Sequence, residues 1–244
     1  MTIIYEHDLP AKEVIRVIQT GETEKLKLLV SENPDLIKSR IVARDHDQNQ
    51  QSLSRTLLHI ITDWPGHFPN GAETVKVLAD AGADVNARCT GPHTETPLHW
   101  AASSDDVEVL NALLNAGADI DADGAVIGGG TPLDDAVAFA QWKAARRLVE
   151  HGAKTKLWNE AALGMIDQVK KRFEKGKPPT PDQITEAFWL ACHGSQQMTA
   201  AYLLDQGADL NWIGYDDMTP LDVARRNQDE ALVQWLVRRG ARGK

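Results

Sequence analysis

Apolar residues recur at helical spacing along most of the chain, and each apolar stretch ends near a glycine. Val107, Leu110 and Leu113 are three residues apart and so share one face of a helix. Gly117 follows this stretch, and glycine ends a helix readily because it adopts the left-handed backbone conformation without steric cost. A shorter alanine-rich stretch, Trp100-Ala101-Ala102, precedes it. The pattern predicts pairs of helices, each a short helix followed by a longer one.

Two short markers accompany these predicted pairs at a nearly constant interval. Gly-Ala-Asp stands at 82–84, 117–119 and 207–209, with weaker copies at 152–154 and 240–242, so that successive steps are 35, 35, 55 and 33 residues. Upstream, a threonine that can cap a helix precedes a proline suited to the first helical position. This second marker reads Thr96-Pro97-Leu98-His99, Thr131-Pro132-Leu133-Asp134, Thr219-Pro220-Leu221-Asp222 and, degenerately, Thr56-Leu57-Leu58-His59. A period in the thirties indicates one supersecondary unit repeated along the chain.

The two markers and the helix pair between them resemble the ankyrin repeat. The resemblance covers roughly residues 10 to 242, and the 55-residue step contains two shortened units separated by Gly176-Lys177-Pro178-Pro179. It implies an all-α ankyrin-repeat solenoid of about seven helix pairs, with residues 1–244 forming a single domain that has no separate globular core. The expected units are 10–40, 53–88, 94–122, 131–155, 156–178, 181–212 and 219–242.

Composition narrows the expected partners and location. The chain has 26 basic and 35 acidic residues, a net charge of −9, which argues against general nucleic-acid binding. No apolar run approaches the ~20 residues of a membrane span, and the first residues do not read as a signal peptide. We therefore expect a soluble cytoplasmic protein that does not bind membranes. The two cysteines, Cys89 and Cys192, form no disulfide or zinc pattern, and no cofactor or metal is expected.

The resemblance also implies where a partner would bind. In ankyrin-like arrays the first helices and the hairpin tips line a concave face, and the two residues after each Ala-Ala step are expected to point outward there. Those pairs are Gln19/Thr20, Asp63/Trp64, Ser103/Ser104, Ala138/Phe139, Ala162/Leu163, Cys192/His193 and Arg226/Asn227. The residues expected to contact a partner or ligand are Trp64, Trp100, Ser103, Ser104, Phe139, Trp189, His193, Trp212 and Tyr215. For the four tryptophans, packing between repeats is an equal alternative.

An insertion in the second unit departs from the repeat. Compared with the spacing in the next unit, five extra residues lie between the two predicted helices, within Asp63–Gly71. Two prolines and two glycines indicate a shaped loop. The repeat pattern does not need the loop, so we expect it to have no role in stacking. Whether its Asp63, Trp64 and His67 serve function or are structural stays open.

Three other segments stand out. The hairpin 91–96 carries His93 and Glu95, and the segment 124–130 ends in three glycines that permit a strained turn or a close approach to a ligand. Asp45-His46-Asp47 lies in a polar stretch that resembles a long hairpin. Ser103-Ser104-Asp105-Asp106 could suggest a nucleophile, but it is better interpreted as the start of a second helix.

The resemblance assigns a structural role to His59 and His99, which are expected to hydrogen-bond backbone groups of a neighbouring repeat. Asp134 and Asp222 occupy the same position of their units and are expected to be structural too.

Two functions remain open at this stage. The first is recognition of a protein or peptide partner on the concave face and hairpin loops, whether or not the chain is a regulatory subunit. The alternative is a small-molecule enzyme or binder, with acid/base chemistry by His67 oriented by Asp63, assisted by His93, on a substrate between Trp64 and Trp100.

Overall fold

The computed structural model describes residues 2–42, 53–91, 93–174 and 178–244. The chain divides into two compact units, Met1–Ala153 and Lys154–Lys244. Each unit is built from helix pairs that follow one another along the chain. The Asp45-His46-Asp47 segment singled out above lies outside the described residues.

The first unit contains eight helices and three short strands over its described residues. In chain order these are β1 (Ile3–Tyr5), α1 (Leu9–Gln19), α2 (Thr23–Glu32), β2 (Arg40–Val42), β3 (Ser54–Arg55), α3 (Leu57–Thr62), α4 (Gly71–Asp80), α5 (Pro97–Ser103), α6 (Val107–Asn115), α7 (Pro132–Ala138) and α8 (Trp142–Glu150). A 3-10 turn, Pro34–Lys38, lies between α2 and β2.

The second unit contains six helices over its described residues. They are α9 (Leu157–Ala162), α10 (Ile166–Glu174), α11 (Pro181–His193), α12 (Gln197–Asp205), α13 (Pro220–Arg226) and α14 (Glu230–Arg238), with a 3-10 turn at Tyr215–Asp217. In both units the first helices of successive pairs pack on each other: α3 on α5 and α5 on α7, then α9 on α11 and α11 on α13.

The predicted fold class is confirmed: the described chain is mostly helical, and its fourteen helices form seven pairs. The expected helix starts are also found. Thr96, Thr131 and Thr219 are the N-cap residues of α5, α7 and α13, and the proline after each occupies the first helical turn. Asp106 is the N-cap of α6 and accepts a hydrogen bond from the Val109 amide at 3.2 Å, as the interpretation of that segment as a helix start predicts.

His59 and His99 have the structural role expected of them. Both rings are buried, and the Thr56 amide donates to Nδ1 of His59, so the ring proton is on Nε2. That Nε2 donates to the carbonyl of Glu95, just before the next helix pair, at 3.1 Å. The ring of His99 lies in the same way between the Thr96 amide and the Gly130 carbonyl. Each imidazole therefore connects the start of its own first helix to the hairpin that leads into the next one.

A small sheet at the start of the first unit was not predicted. β1 pairs in parallel with β2, Ile4 opposite Ile41, and β2 pairs antiparallel with β3, Ile41 opposite Arg55. Ser54 also forms a bridge with Thr90. The sheet thus connects the segment that precedes α1 to the hairpins of the following pairs. None of the helices in the described ranges combines the length and apolar character that a membrane crossing requires.

Candidate functional site

Trp64 is the most exposed large apolar side chain of the described residues. It lies directly after α3, at the start of the loop 63–71, and 85% of its surface is accessible. The Trp64–Pro65 peptide bond is cis. An indole so far from the core contributes little to packing, since the stability of a buried side chain comes from the area removed from water.

The inner side of the same loop is hydrogen-bonded to the helix pairs before and after it. The ring of His67 donates from Nε2 to the Ser104 carbonyl at 3.0 Å, and its backbone amide donates to the Asp106 carboxylate at 2.8 Å. In the other direction, Asn70 donates to the Gly21 carbonyl at 2.9 Å. The expectation that the insertion has no role in stacking was therefore wrong. Its extra residues fill the space between three successive helix pairs.

Asp63 contacts a different partner from those of His67. Its carboxylate pairs with the guanidinium of Arg55, a buried side chain that also contacts Glu6 at 2.8 Å. Partial burial raises the pKa of Asp63, and the charge of Arg55 opposes that shift. Asp63 and His67 thus make their hydrogen bonds to separate groups, so acid/base chemistry by this pair stays a prediction to which the geometry adds no support.

The end of the next first helix, α5, lies beside this loop, and α7 packs on α5. Ser103 and Ser104 are half-buried at the end of α5, and both hydroxyls donate to the Trp100 carbonyl. Gly66 packs so closely on Ser104 that a Cβ there would lie 2.8 Å from its Oγ. Phe139 follows α7 and is 44% exposed. We call Trp64, Trp100, Ser103, Ser104 and Phe139 the first-helix ridge.

Beneath Trp100 lies a pair of buried acids, Glu95 and Asp135. The two carboxyls lie close enough for each to affect the pKa of the other, and the Trp100 side chain lowers the pKa of Glu95. Neither oxygen of Asp135 accepts a hydrogen bond of good geometry, although the Ile127 amide lies near. Burial, followed by the charge of Glu95, raises the pKa of Asp135 to about 8. Burial also raises the pKa of Glu95. Because two desolvated carboxyls that act on one another cannot both ionise cheaply, we expect the pair to hold one proton at neutral pH.

His93, the third candidate catalytic residue, is exposed on the same hairpin as Glu95. Its carbonyl accepts a hydrogen bond from the Cys89 thiol at 3.5 Å, and its ring is close enough to affect the pKa of Glu95. His93 is hydrogen-bonded to Cys89, whereas His67 is hydrogen-bonded to Ser104 and Asp106.

The triple-glycine segment is a tight hairpin. Gly128 and Gly129 have φ near +60°, and a Cβ at either would meet nothing within 4 Å. Glycine adopts such angles without steric cost, which supports the strained turn, while close approach to a ligand stays a prediction. Gly124 differs, since a Cβ there would lie 2.5 Å from the Thr94 carbonyl oxygen.

The candidate binding residues of the second unit differ in how exposed they are. Trp189 is 2% exposed, and its indole donates to the Met218 carbonyl at 2.8 Å. His193 is 6% exposed and stacks on Trp189 at 5.5 Å. Trp212 is half-buried, and Tyr215 is exposed at a hairpin tip.

The expectation that the pairs after each Ala-Ala step point outward was wrong for two of the three pairs in this unit, whereas Arg226 and Asn227 are exposed. Ala162, Leu163, Cys192 and His193 are all buried. The reason is the close packing of α9 on α11, in which a Cβ at Gly194 would lie 1.9 Å from the Ala162 carbonyl oxygen. A partner-binding role for Trp189 and His193 stays a prediction, and their burial leaves little of either for a partner to contact.

Asp135 was missed by sequence reasoning, although a signal was present. Alignment of the Thr-Pro-Leu markers puts Asp135 in register with Trp100, Ile60 and Val223, so the other units that carry this marker have an apolar side chain there. A carboxyl at a position that is otherwise apolar indicates a buried acid. In the described part of the chain, no group of three or more His, Cys, Asp or Glu side chains is arranged to hold a metal ion.

Comparison with known proteins agrees with the geometry of the helix pairs. A family model described as ankyrin repeats (3 copies) matches residues 14–123 and 67–159, which together are more than half of the 244 residues. An ankyrin repeat and KH domain-containing protein of Caenorhabditis briggsae is 31% identical over 185 residues, covering 72% of this chain and 7% of the relative.

Other relatives match shorter stretches. Alpha-latroinsectotoxin-Lt1a of Latrodectus tredecimguttatus is 29% identical over 157 residues, 64% of this chain and 9% of the toxin. Protein fem-1 homolog A of Bos taurus is 46% identical over 57 residues, 23% of this chain and 8% of the relative. The chain therefore spans less than a tenth of the length of each of these curated relatives.

Proposed function

This chain belongs to the ankyrin-repeat family, and we propose that it binds a protein or peptide partner through the first-helix ridge of its first unit. Ankyrin repeats are protein–protein interaction modules. The ridge lies along the first helices, the side that the family resemblance associates with binding. Fold alone does not fix function, so the proposal rests on the ridge itself.

The observation that carries the proposal is the combination of exposure and rigidity at Trp64. The indole is exposed to water, while the loop behind it is held by hydrogen bonds from His67 to Ser104 and from Asn70 to Gly21. Tryptophan is enriched among the residues that dominate binding energy at interfaces. A rigid anchor also loses little conformational freedom when a partner binds, which leaves more of the contact energy as affinity.

The neighbouring groups complement such an anchor. Phe139 offers a second exposed aromatic side chain at the corresponding end of α7. Between the two lie Ser103 and Ser104, whose hydroxyl protons already go to the Trp100 carbonyl. Their oxygens retain lone pairs, so they can accept hydrogen bonds from backbone amides of a partner. The ridge therefore combines apolar anchors with acceptors that would orient an extended peptide.

A mapping experiment tests this proposal. Peptides selected on the full chain from a random displayed library would be titrated into isotope-labelled protein, and the amide and indole resonances followed by NMR. The proposal expects shifts at the Trp64 and Trp100 indoles and at the Ser103, Ser104 and Phe139 amides. Shifts confined to the second helices α2, α4 and α6 would overturn it.

A further inference from the structure

A cleft of about 370 Å³ opens on the second unit, between helix α11 and the hairpin that precedes α13. Asp182, Gln183 and Glu186 line it from the first two turns of α11. The hairpin contributes Trp212, Ile213, Gly214 and Tyr215. The cleft thus has an aromatic wall that faces an acidic one.

The aromatic wall is fixed in place. Gly214 lies between two indoles, and a Cβ there would come within 2.4 Å of Trp212 and 2.8 Å of Trp189. The Gly214 amide and the Trp189 indole both donate to the Met218 carbonyl, at 2.9 Å and 2.8 Å. Tyr215 packs edge-on against both indoles. The faces of the cleft are therefore formed before anything binds.

The acidic wall is also oriented. Tyr215 donates its hydroxyl proton to Oε1 of Glu186 at 2.5 Å, and the pKa of Tyr215 is raised by desolvation and by this hydrogen bond. Glu186 is half-buried, and Asp182 lies one helical turn before it on the same face. Neither carboxylate pairs with a cation among the described residues of this unit. Ile213 and Tyr215 leave about half of their surfaces exposed at the rim.

We propose that this cleft docks an arginine side chain from a basic segment of a partner protein. A guanidinium is planar, so it can stack on the Trp212 ring while its N–H groups bond the carboxylates of Glu186 and Asp182. It is also less strongly hydrated than a lysine ammonium and loses less on entering a half-enclosed site. The charge of the cleft is complementary to such a group, and the aromatic wall distinguishes it from an ordinary acidic surface.

The cleft belongs to residues 154–244 and the first-helix ridge to residues 1–153, so either surface can fail its test without the other. The arginine cleft is tested with three labelled peptides of identical glycine-serine backbone. One carries three arginines, one three lysines and one three citrullines, which have nearly the shape of arginine without its charge. Fluorescence anisotropy with the full chain at physiological ionic strength gives each affinity.

The arginine peptide should bind more tightly than the lysine peptide, and the citrulline peptide should bind at least about tenfold more weakly, the effect of about 1.4 kcal/mol. Glu186→Gln should weaken arginine binding by roughly tenfold, since it removes a charge-assisted hydrogen bond but keeps an acceptor for Tyr215. The matched control Glu174→Gln removes one exposed charge of the same unit and should change affinity by less than about twofold.

Trp212→Leu should also weaken binding by roughly tenfold. If that variant loses helicity, the Trp212 indole resonance of the wild-type protein gives the same information, since it should shift on titration with the arginine peptide. Equal losses in Glu186→Gln and Glu174→Gln would show general attraction to a chain of net charge −9 and overturn the proposal. Equal binding of the citrulline peptide, or an unshifted Trp212 indole, would overturn it too.

Discussion

Glu95 and Asp135 form a buried carboxyl pair, and neither makes an ion pair with a described residue. Glu95 is 7% exposed and Asp135 is 0% exposed. The groups that act on Asp135 are the carboxyls of Glu95 and Asp134, which raise its pKa, and the Ile127 amide, which lowers it. Those that act on Glu95 include the Trp100 indole, His93 and the Asp135 carboxyl, all of which lower its pKa against the larger effect of burial.

This pair makes the stability of the first unit depend on pH. The pKa of Asp135 is raised to about 8 in the folded state, from 3.8 as an ordinary value, so the folded protein holds a proton that the unfolded chain has released. The stabilising contribution is complete below about pH 4 and is lost as pH rises to about 8. Unfolding free energy should therefore fall by on the order of 4 kcal/mol between about pH 5 and about pH 9.

Asp135→Asn should remove most of that dependence, because an amide resembles a protonated carboxyl. Urea melts of the variant at a series of pH values should lie near the wild-type value at acid pH and above it at alkaline pH. Glu108→Gln, an exposed acid in the same unit, serves as the control and should follow the wild-type profile. A pH profile for Asp135→Asn that parallels the wild type would show that the pair does not share a proton.

His59 and His99 should prove structural in the same kind of melt. Alanine at either position leaves a buried carbonyl or amide unpaired, which costs about 1–3 kcal/mol. Burial lowers the pKa of His59 to about 3, below its ordinary 6.5, so its contribution is present at neutral pH and is lost as pH falls from about 6.5 towards 3. Exposed His93→Ala should cost little. Equal losses at all three positions would contradict the assignment.

Asp63 and Trp64 are neighbours with opposite expected effects on stability. Asp63→Ala removes a partner of buried Arg55, which retains only Glu6, and should cost about 1–3 kcal/mol of unfolding free energy. Trp64→Ala removes an exposed indole and should leave the thermal midpoint nearly unchanged. Circular dichroism melts measure both. A stable Asp63→Ala protein would show that the ion pair is dispensable and would reopen a functional role for that carboxylate.

Gly194 should tolerate no side chain, whereas Gly207 in the same unit should tolerate one at modest cost. A Cβ at Gly194 meets the Ala162 carbonyl oxygen at 1.9 Å, so alanine must push α9 and α11 apart. At Gly207 there is open space, and the cost is only that of φ near +98°, about 1 kcal/mol. Urea midpoints of the two alanine variants compare them. A smaller loss at Gly194 than at Gly207 would contradict the close packing described here.

The parts of the structure that were predictable depend on local sequence. Helix starts at Thr96 and Thr131 and the hydrogen bonds of His59 and His99 follow from motifs a few residues long, repeated at a fixed interval. The period, with two shortened units assigned to the 55-residue step and one unit to the N-terminal helices, predicted the number of helix pairs. Because each motif occurs in several repeats, the helix starts and the histidine hydrogen bonds could be predicted from the sequence.

The parts that were not predictable depend on contacts between distant segments. Glu95 meets Asp135 because α5 packs on α7 across more than thirty residues of sequence. The contacts of His67 with Ser104 and Asp106 cross from one helix pair to the next. Likewise, β1 and β2 lie on opposite sides of the first helix pair in sequence. Burial of His193 depends on the fit of Gly194 to the backbone of α9, which no local pattern shows.

The most direct test of the proposed recognition surface is a ratio of affinities. A peptide selected on the wild-type chain would be titrated against Trp64→Ala and against Leu28→Ala, which removes an exposed apolar side chain of α2 in the same unit. Loss of a central aromatic anchor costs about 2 kcal/mol or more. We predict at least about tenfold weaker binding for Trp64→Ala and less than about twofold for Leu28→Ala. Unchanged affinity for Trp64→Ala would contradict the proposal that this indole anchors the partner.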